Sequence, residues 1–125
     1  MSPVDLKART KAFGLRIIRV VDSIPRSRSA DVIGRQLLRC GTSVGANYRA
    51  ACRARSPAEF CAKLGIVEEE ADESIYWMEL LVDANLVRPE RLRDLMAEAD
   101  ELLAIVIASI KTARLNNPTG RGSTS

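Results

Sequence analysis

Arg39-Cys40-Gly41-Thr42-Ser43-Val44-Gly45-Ala46-Asn47-Tyr48 reads as the middle of one long helix, from about Ala30 to Arg55, although it holds two glycines in ten residues. Ile33, Leu37, Cys40, Val44, Tyr48, Ala51 and Arg55 recur at steps of three and four, the spacing of one helical face. Gly34, Gly41 and Gly45 each cost a helix roughly 1 kcal/mol relative to alanine, so a helix that keeps them is expected to let a neighbouring backbone come close. Beside the apolar face runs a small, polar stripe of Gln36, Ser43, Asn47, Ala50 and Ala54. A third face carries Arg35, Arg39, Arg49 and Arg53. The rest of the chain is expected to dock against this element. Gly41 to Gly45 is not a phosphate-binding loop, because no strand precedes it and the Gly-Lys-Ser/Thr ending is missing.

Outward from this stretch, three more helices are expected. The first runs from about Asp5 to Ser23, with Leu6, Phe13, Ile17, Val20, Val21 and Ile24 as its apolar stripe, and Pro25 ends it. Ser29 is placed to cap the second helix, with Asp31 in its first turn. Ser56-Pro57-Ala58-Glu59 then signals a new start: a serine cap, a proline at the first helical position and a glutamate to complete a capping box. This third helix runs to about Ala84 with Phe60, Leu64, Val67, Ala71, Ser74, Ile75, Met78, Leu81 and Val82 facing the core. Ile66, Tyr76, Trp77 and Leu80 fall off that face. A helix apolar on two sides is buried on two sides, so these four are expected to form a subunit interface. Pro89 opens a fourth helix to about Leu115, followed by a small, polar stretch, 116–125, expected to be a disordered tail. Four helices on short connections imply an all-α, antiparallel up-down-up-down bundle over residues 1–115.

Composition narrows the chemistry. The 125 residues suit one domain, and there is no histidine, which removes Ser-His and Cys-His catalysis and the usual zinc sites. No apolar run reaches the ~18 residues of a membrane span, and the N-terminus lacks a signal-peptide layout, so a cytoplasmic protein without a membrane association is expected. Cys40, Cys52 and Cys61 form no paired spacing and are expected to be free thiols. The net charge of +3 conceals an asymmetry: residues 1–55 hold twelve Lys/Arg against three Asp/Glu, and residues 56–115 hold six against thirteen. The halves either neutralise one another or leave the basic half facing an anionic partner.

Two carboxylate clusters invite comparison with all-α, magnesium-dependent nucleotide pyrophosphohydrolases, through Glu70 with Glu73 and Glu98 with Glu101. The registers oppose it, since Glu101 points away from the core stripe and Glu73 sits well out on its helix. No metal site or cofactor is therefore expected. Glu70, on the flank of the third helix, is instead expected to meet Gln36, Ser43 and Asn47 in a structural polar network. Arg35, Arg39, Arg49 and Arg53, helped by Lys7, Lys11 and Arg16, are the candidate contacts for RNA or DNA, because the arginine fork donates paired hydrogen bonds to phosphate. The competing reading locks these arginines against Glu69, Glu73 and their neighbours.

Gln36-Leu37-Leu38-Arg39, Thr42-Ser43-Val44-Gly45-Ala46-Asn47-Tyr48, Ala54-Arg55-Ser56 with Glu59-Phe60 and Lys63-Leu64, then Glu70-Ala71-Asp72-Glu73-Ser74, Tyr76-Trp77 and Glu101-Leu102 form an ordered motif series. It resembles the four-helix-bundle proteins of 23S rRNA intervening sequences (the S23-type family) from about Leu6 to Leu115. Cys40 and Gly41 stand where that family tends to have serine and another small or polar residue. More distantly, the chain resembles the accessory variability determinants of diversity-generating retroelements. The resemblance implies a bundle that assembles as a homopentamer around a central channel, with no catalytic residues. Its accessory relatives imply nucleic acid and a reverse transcriptase as partners. The expected function is a non-enzymatic, homo-oligomeric, nucleic-acid-associated protein; the alternatives are a pure interaction scaffold and the pyrophosphohydrolase.

Overall fold

A computed structural model describes residues 1–116, so the tail expected over 116–125 lies outside the described residues except for Asn116. Four helices follow one another: α1 (Pro3–Ser23), α2 (Arg28–Ala51), α3 (Pro57–Asp83) and α4 (Pro89–Asn116). Each packs on the next in chain order, because connections of four or five residues are too short to carry the chain past the helix before it. The α1–α4 seam is the slightest of the four helix contacts. It is held at one end by Arg9 against Glu98 and at the other by Arg91, whose Nη2 donates to Ser23 Oγ at 2.7 Å. The helix directions are therefore antiparallel.

The core lies where the stripes meet: Phe13 and Ile17 of α1, Leu37 and Val44 of α2, Leu64, Met78 and Leu81 of α3, and Leu92, Leu102 and Val106 of α4 are all at most 1% exposed. Two polar side chains share it. The Thr10 hydroxyl donates to the Leu6 carbonyl at 2.9 Å, and Ser74 Oγ donates to the Glu70 carbonyl at 2.8 Å while lying 3.3 Å from Cys40 Sγ. Each returns its proton to its own helix, so neither burial leaves a polar atom unmatched. Cys40, Cys52 and Cys61 are all free. Burial pushes the Cys40 thiol up, which keeps it protonated and unreactive.

The glycines of α2 differ in purpose. A β-carbon on Gly45 would come within 3.3 Å of the Thr10 backbone, so this position does bring two main chains together. Gly41 instead makes room for the Ile17 side chain, whose Cγ1 would lie 2.7 Å from an added β-carbon. Gly34 departs from expectation: its nearest neighbour, Val21 Cγ1, would be in ordinary contact at 3.4 Å.

Three helix ends also differ from the sequence reading. Ser27, not Ser29, caps α2, accepting from the Ala30 amide at 3.1 Å. Starting earlier puts Ala30 on the buried stripe. At the other end α2 stops at Ala51 rather than Arg55, and Arg53 and Ala54 close tighter turns onto Ala50 and Ala51. The chain needs those residues to turn, because Ser56 must be extended before Pro57. Arg55 thus leaves the apolar stripe altogether. Ser56 caps α3 through the Glu59 amide at 3.1 Å, but Glu59 does not complete a capping box. Its carboxylate reaches one residue further back, to the Arg55 amide at 3.2 Å. The reciprocal capping box forms at α1, between Ser2 and Asp5.

Candidate nucleic-acid and assembly surfaces

The seven cations named from the sequence are sorted by the fold into separate places. Arg39, at the middle of α2, turns across to α3. Its guanidinium donates to Gln36 Oε1 through Nε and Nη2 at 3.3 and 3.2 Å, to Glu70 Oε2 at 3.4 Å, and to Glu73 Oε2. Glu73 Oε2 also accepts from Trp77 Nε1 at 3.0 Å. The network around Gln36 and Glu70 therefore exists, but its hub is an arginine read as a nucleic-acid contact. Ser43 and Asn47 lie outside it: Ser43 Oγ donates to the Arg39 carbonyl at 2.7 Å and Asn47 Nδ2 to the Ser43 carbonyl at 2.9 Å. Short polar side chains in a helix find their own preceding turn before they reach another helix.

Arg16 is half-buried on the side of α1 that faces Glu98. Lys7, Lys11 and Arg49 come together elsewhere, on the rim of a groove of about 560 Å³ between α1 and α2. Its walls and floor are apolar or small: Leu15 and Ile18 from α1, Gly14, and Gly45 and Ala46 from α2. Arg35 sits further along the same seam, beside Asp22. Arg53 is exposed just beyond the end of α2. Arg35, Arg49 and Arg53 form no ion pair among the described residues, and neither do Lys7, Lys11 and Arg16. Among the described residues, Arg9, Arg26 and Arg39 are the only ones of the twelve cations in residues 1–55 that are paired.

Arg9 was assigned no role in the sequence, and nothing local could have revealed one, for its partners are about ninety residues away. Its Nε and Nη2 each donate to a Glu98 oxygen at 2.7 Å, and Nη2 also meets Glu101 Oε1 at 2.9 Å. These hydrogen bonds, Glu98 first, raise the guanidinium further from deprotonation and hold the Glu98 carboxyl below its ordinary value against the effect of burial. Both carboxylate pairs that suggested a magnesium site, Glu98 with Glu101 and Glu70 with Glu73, are thus engaged by guanidinium groups. Among the described residues no cluster of three or more acidic, cysteine or histidine side chains is arranged to hold a metal ion.

The four interface candidates occupy the outer side of α3. Ile66 and Tyr76 are 40% and 51% exposed, and Trp77 and Leu80 are half-buried. The Tyr76 and Trp77 rings meet edge to face at 5.1 Å. A second exposed apolar stripe escaped the sequence reading. Val4, Leu15 and Ile18 on the outer face of α1 are 74%, 44% and 38% exposed. Its signal was available in the three-and-four spacing of Val4, Ala8, Lys11, Leu15 and Ile18, hidden by the stronger core stripe on the same helix.

No helix is long and apolar enough to cross a membrane among the described residues. The molecule is thus an all-α four-helix bundle with its charge divided between two helical hairpins and an apolar face on either side. Within that class, a family model for 23S rRNA-intervening sequence proteins matches residues 4–108, and the chain belongs to this family. A solved structure of a protein of unknown function from the S23 ribosomal protein family of Bacteroides thetaiotaomicron is similar to it. The two are 33% identical with a TM-score of 0.82, over 89% of this chain and 99% of that one. No curated protein matches the chain.

Proposed function

We propose that the protein is a non-catalytic, self-associating bundle that holds nucleic-acid phosphates on the arginines of α2 and its C-terminal extension. The observation that carries this reading is the unpaired state of the basic hairpin: nine of its twelve cations, Arg35, Arg49 and Arg53 among them, have no carboxylate partner among the described residues. Arg35 and Arg49 stand about 21 Å apart along the helix at ~1.5 Å per residue, the axial reach of roughly six phosphates on one strand. Arg39 and Arg16 drop out of the binding set because each faces carboxylates of the acidic hairpin. Tyr48 and Phe13 are buried, so this side of the molecule offers no ring on which a base could stack. Contacts to phosphate alone position a protein without reading sequence. Self-association through Ile66, Tyr76, Trp77 and Leu80 would repeat the patch and turn weak single-site contacts into avidity.

Fluorescence anisotropy with single-stranded and duplex oligonucleotides tests the reading. Binding is expected at low salt irrespective of sequence and is expected to fall steeply as salt rises, since each neutralised phosphate releases condensed counterion. Combining Arg35→Glu, Arg49→Glu and Arg53→Glu should abolish it, while Arg114→Glu on the far helix should not. Absence of binding at low salt, or retention in the triple variant, refutes the proposal.

A further inference from the structure

The stretch of α4 from Leu102 to Ile110 carries no charge, and apart from Ser109 every residue in it is apolar. A helix apolar all round is buried all round. Here only Leu102, Val106 and Ile110 are buried; Leu103, Ile105 and Ile107 are half-buried, and Ala104 and Ala108 are exposed. Ile107 is not among the side chains packed against the core. The fold thus leaves apolar surface on this helix without a partner.

Part of that surplus lines up along the outer seam of α3 and α4. Arg93, Met96, Asp100, Leu103 and Ile107 follow at steps of three and four, all exposed or half-buried. Toward the start of α4 the stripe borders a groove of about 360 Å³, with Val82 and Met96 as apolar lining and Glu79, Asp83 and Asp100 around them. From Glu79 the same steps lead back along α3 to Ile75, Asp72 and Glu68, so carboxylates continue beside the seam beyond the groove. None of Glu68, Asp72, Glu79, Asp83 and Asp100 forms an ion pair among the described residues. From Arg93 to Ile107 the strip is about 21 Å long at ~1.5 Å per residue, close to four helical turns.

We propose that this seam receives a basic amphipathic helix of another protein. Its apolar side lies on Met96, Leu103 and Ile107, and its lysines or arginines reach Glu79, Asp83 and Asp72. Charge complementarity selects the occupant: Arg93 is the single cation on the strip, against five carboxylates. Long cationic side chains suit the groove in particular, because their stems pack along Val82 and Met96 while their heads reach the acidic rim. Met96 adds a flexible side chain that adjusts to the shape laid on it. Nucleic acid and anionic membranes are repelled by this edge. A small cation has no use for the apolar strip, and no cluster of acidic groups among the described residues is arranged to hold a metal ion. The seam is also distinct from the side of α3 that carries Ile66, Tyr76, Trp77 and Leu80, since its steps run through Glu68, Asp72, Ile75 and Glu79. A basic partner on α3 and α4 leaves the arginines of α2 free for phosphate, so the molecule would join a basic protein to a nucleic acid.

Fluorescence anisotropy with a labelled helical peptide of leucine and lysine, its lysines gathered on one face, decides the matter on the full chain. The peptide is expected to bind, whereas a peptide of the same composition scrambled to remove the apolar face is not. Glu79→Lys combined with Asp83→Lys should weaken binding at least roughly tenfold, as like charges then oppose across the contact. Ile107→Gln, at a side chain outside the core, should weaken it with unchanged helical circular dichroism. Glu90→Lys with Asp94→Lys makes the same change in net charge off the strip and should leave binding as it was. Oligonucleotide binding should survive in the Glu79, Asp83 variant. Absence of peptide binding at low salt, equal binding of the scrambled peptide, or equal loss in the Glu90, Asp94 variant overturns the proposal. So does a change in the sedimentation of the Ile107→Gln protein alone, which would assign the seam to contacts between copies of this chain.

Discussion

At Gly41 the fold turns on the space of one methyl group. The Ile17 side chain fills the place a β-carbon would take, with Cγ1 and Cγ2 at 2.7 and 2.9 Å from it, and Ile17 itself is fully buried with nowhere to move. Gly41→Ala gains helix propensity of about 1 kcal/mol but overfills the α1–α2 contact, which costs about 1–3 kcal/mol. Net destabilisation is expected, whereas Gly34→Ala, with only Val21 Cγ1 at 3.4 Å, should be neutral or stabilising. Urea denaturation of the two variants separates them. Glu98 makes the second prediction at this scale. Its hydrogen bonds with Arg9 hold its folded-state pKa below the unfolded value, so it binds its proton less readily when folded. The stability it supplies is full above the ordinary carboxylate range and is lost as pH falls through the lowered folded value. Glu98→Gln should therefore cost about 1–3 kcal/mol at neutral pH and progressively less in acid, as denaturation at several pH values would reveal.

Helix α3 owes its sharp ending to Asn85. With a φ of 61° it takes the left-handed conformation, so the Leu86 amide reaches the Leu81 carbonyl at 2.9 Å and the Asn85 amide the Val82 carbonyl at 3.0 Å. These bonds satisfy carbonyls a helix end leaves bare and aim the chain so that Val87 is buried before α4 begins. Asn85→Val should lower the midpoint of thermal unfolding, because a branched side chain resists this backbone, while Asn85→Gly should leave it unchanged or raised. The starts of α3 and α4 were legible because proline and serine act within one turn of themselves. The end of α2 was not, since its apolar spacing runs on to Arg55 and only the geometry of the next helix start forces an earlier stop. Apart from Arg55, the core stripes, which obey a single local period, are buried or half-buried as their spacing predicts.

For the molecule as a whole, the division of charge between residues 1–55 and 56–115 becomes a division in space, α1 and α2 against α3 and α4. Two arginines stitch the halves together, Arg9 to Glu98 and Glu101 and Arg39 to Glu70 and Glu73. Which arginine would do so was illegible from one helix alone. A face lists Arg35, Arg39, Arg49 and Arg53 as equals, and only the crossing of α2 with α3 puts Arg39 against carboxylates. The surfaces proposed for nucleic acid and for a second copy are what this stitching leaves over.

The contact between Trp77 Nε1 and Glu73 Oε2 has a practical consequence. Trp77 is the only tryptophan in the chain, half-buried beside Tyr76 on the outer side of α3. Its indole is bonded to the same carboxylate that answers Arg39, so its surroundings change with the seam between the hairpins as well as with whatever covers that face. The ultraviolet emission of the unlabelled protein thus carries an optical record of the spot where the two halves of the molecule are fastened.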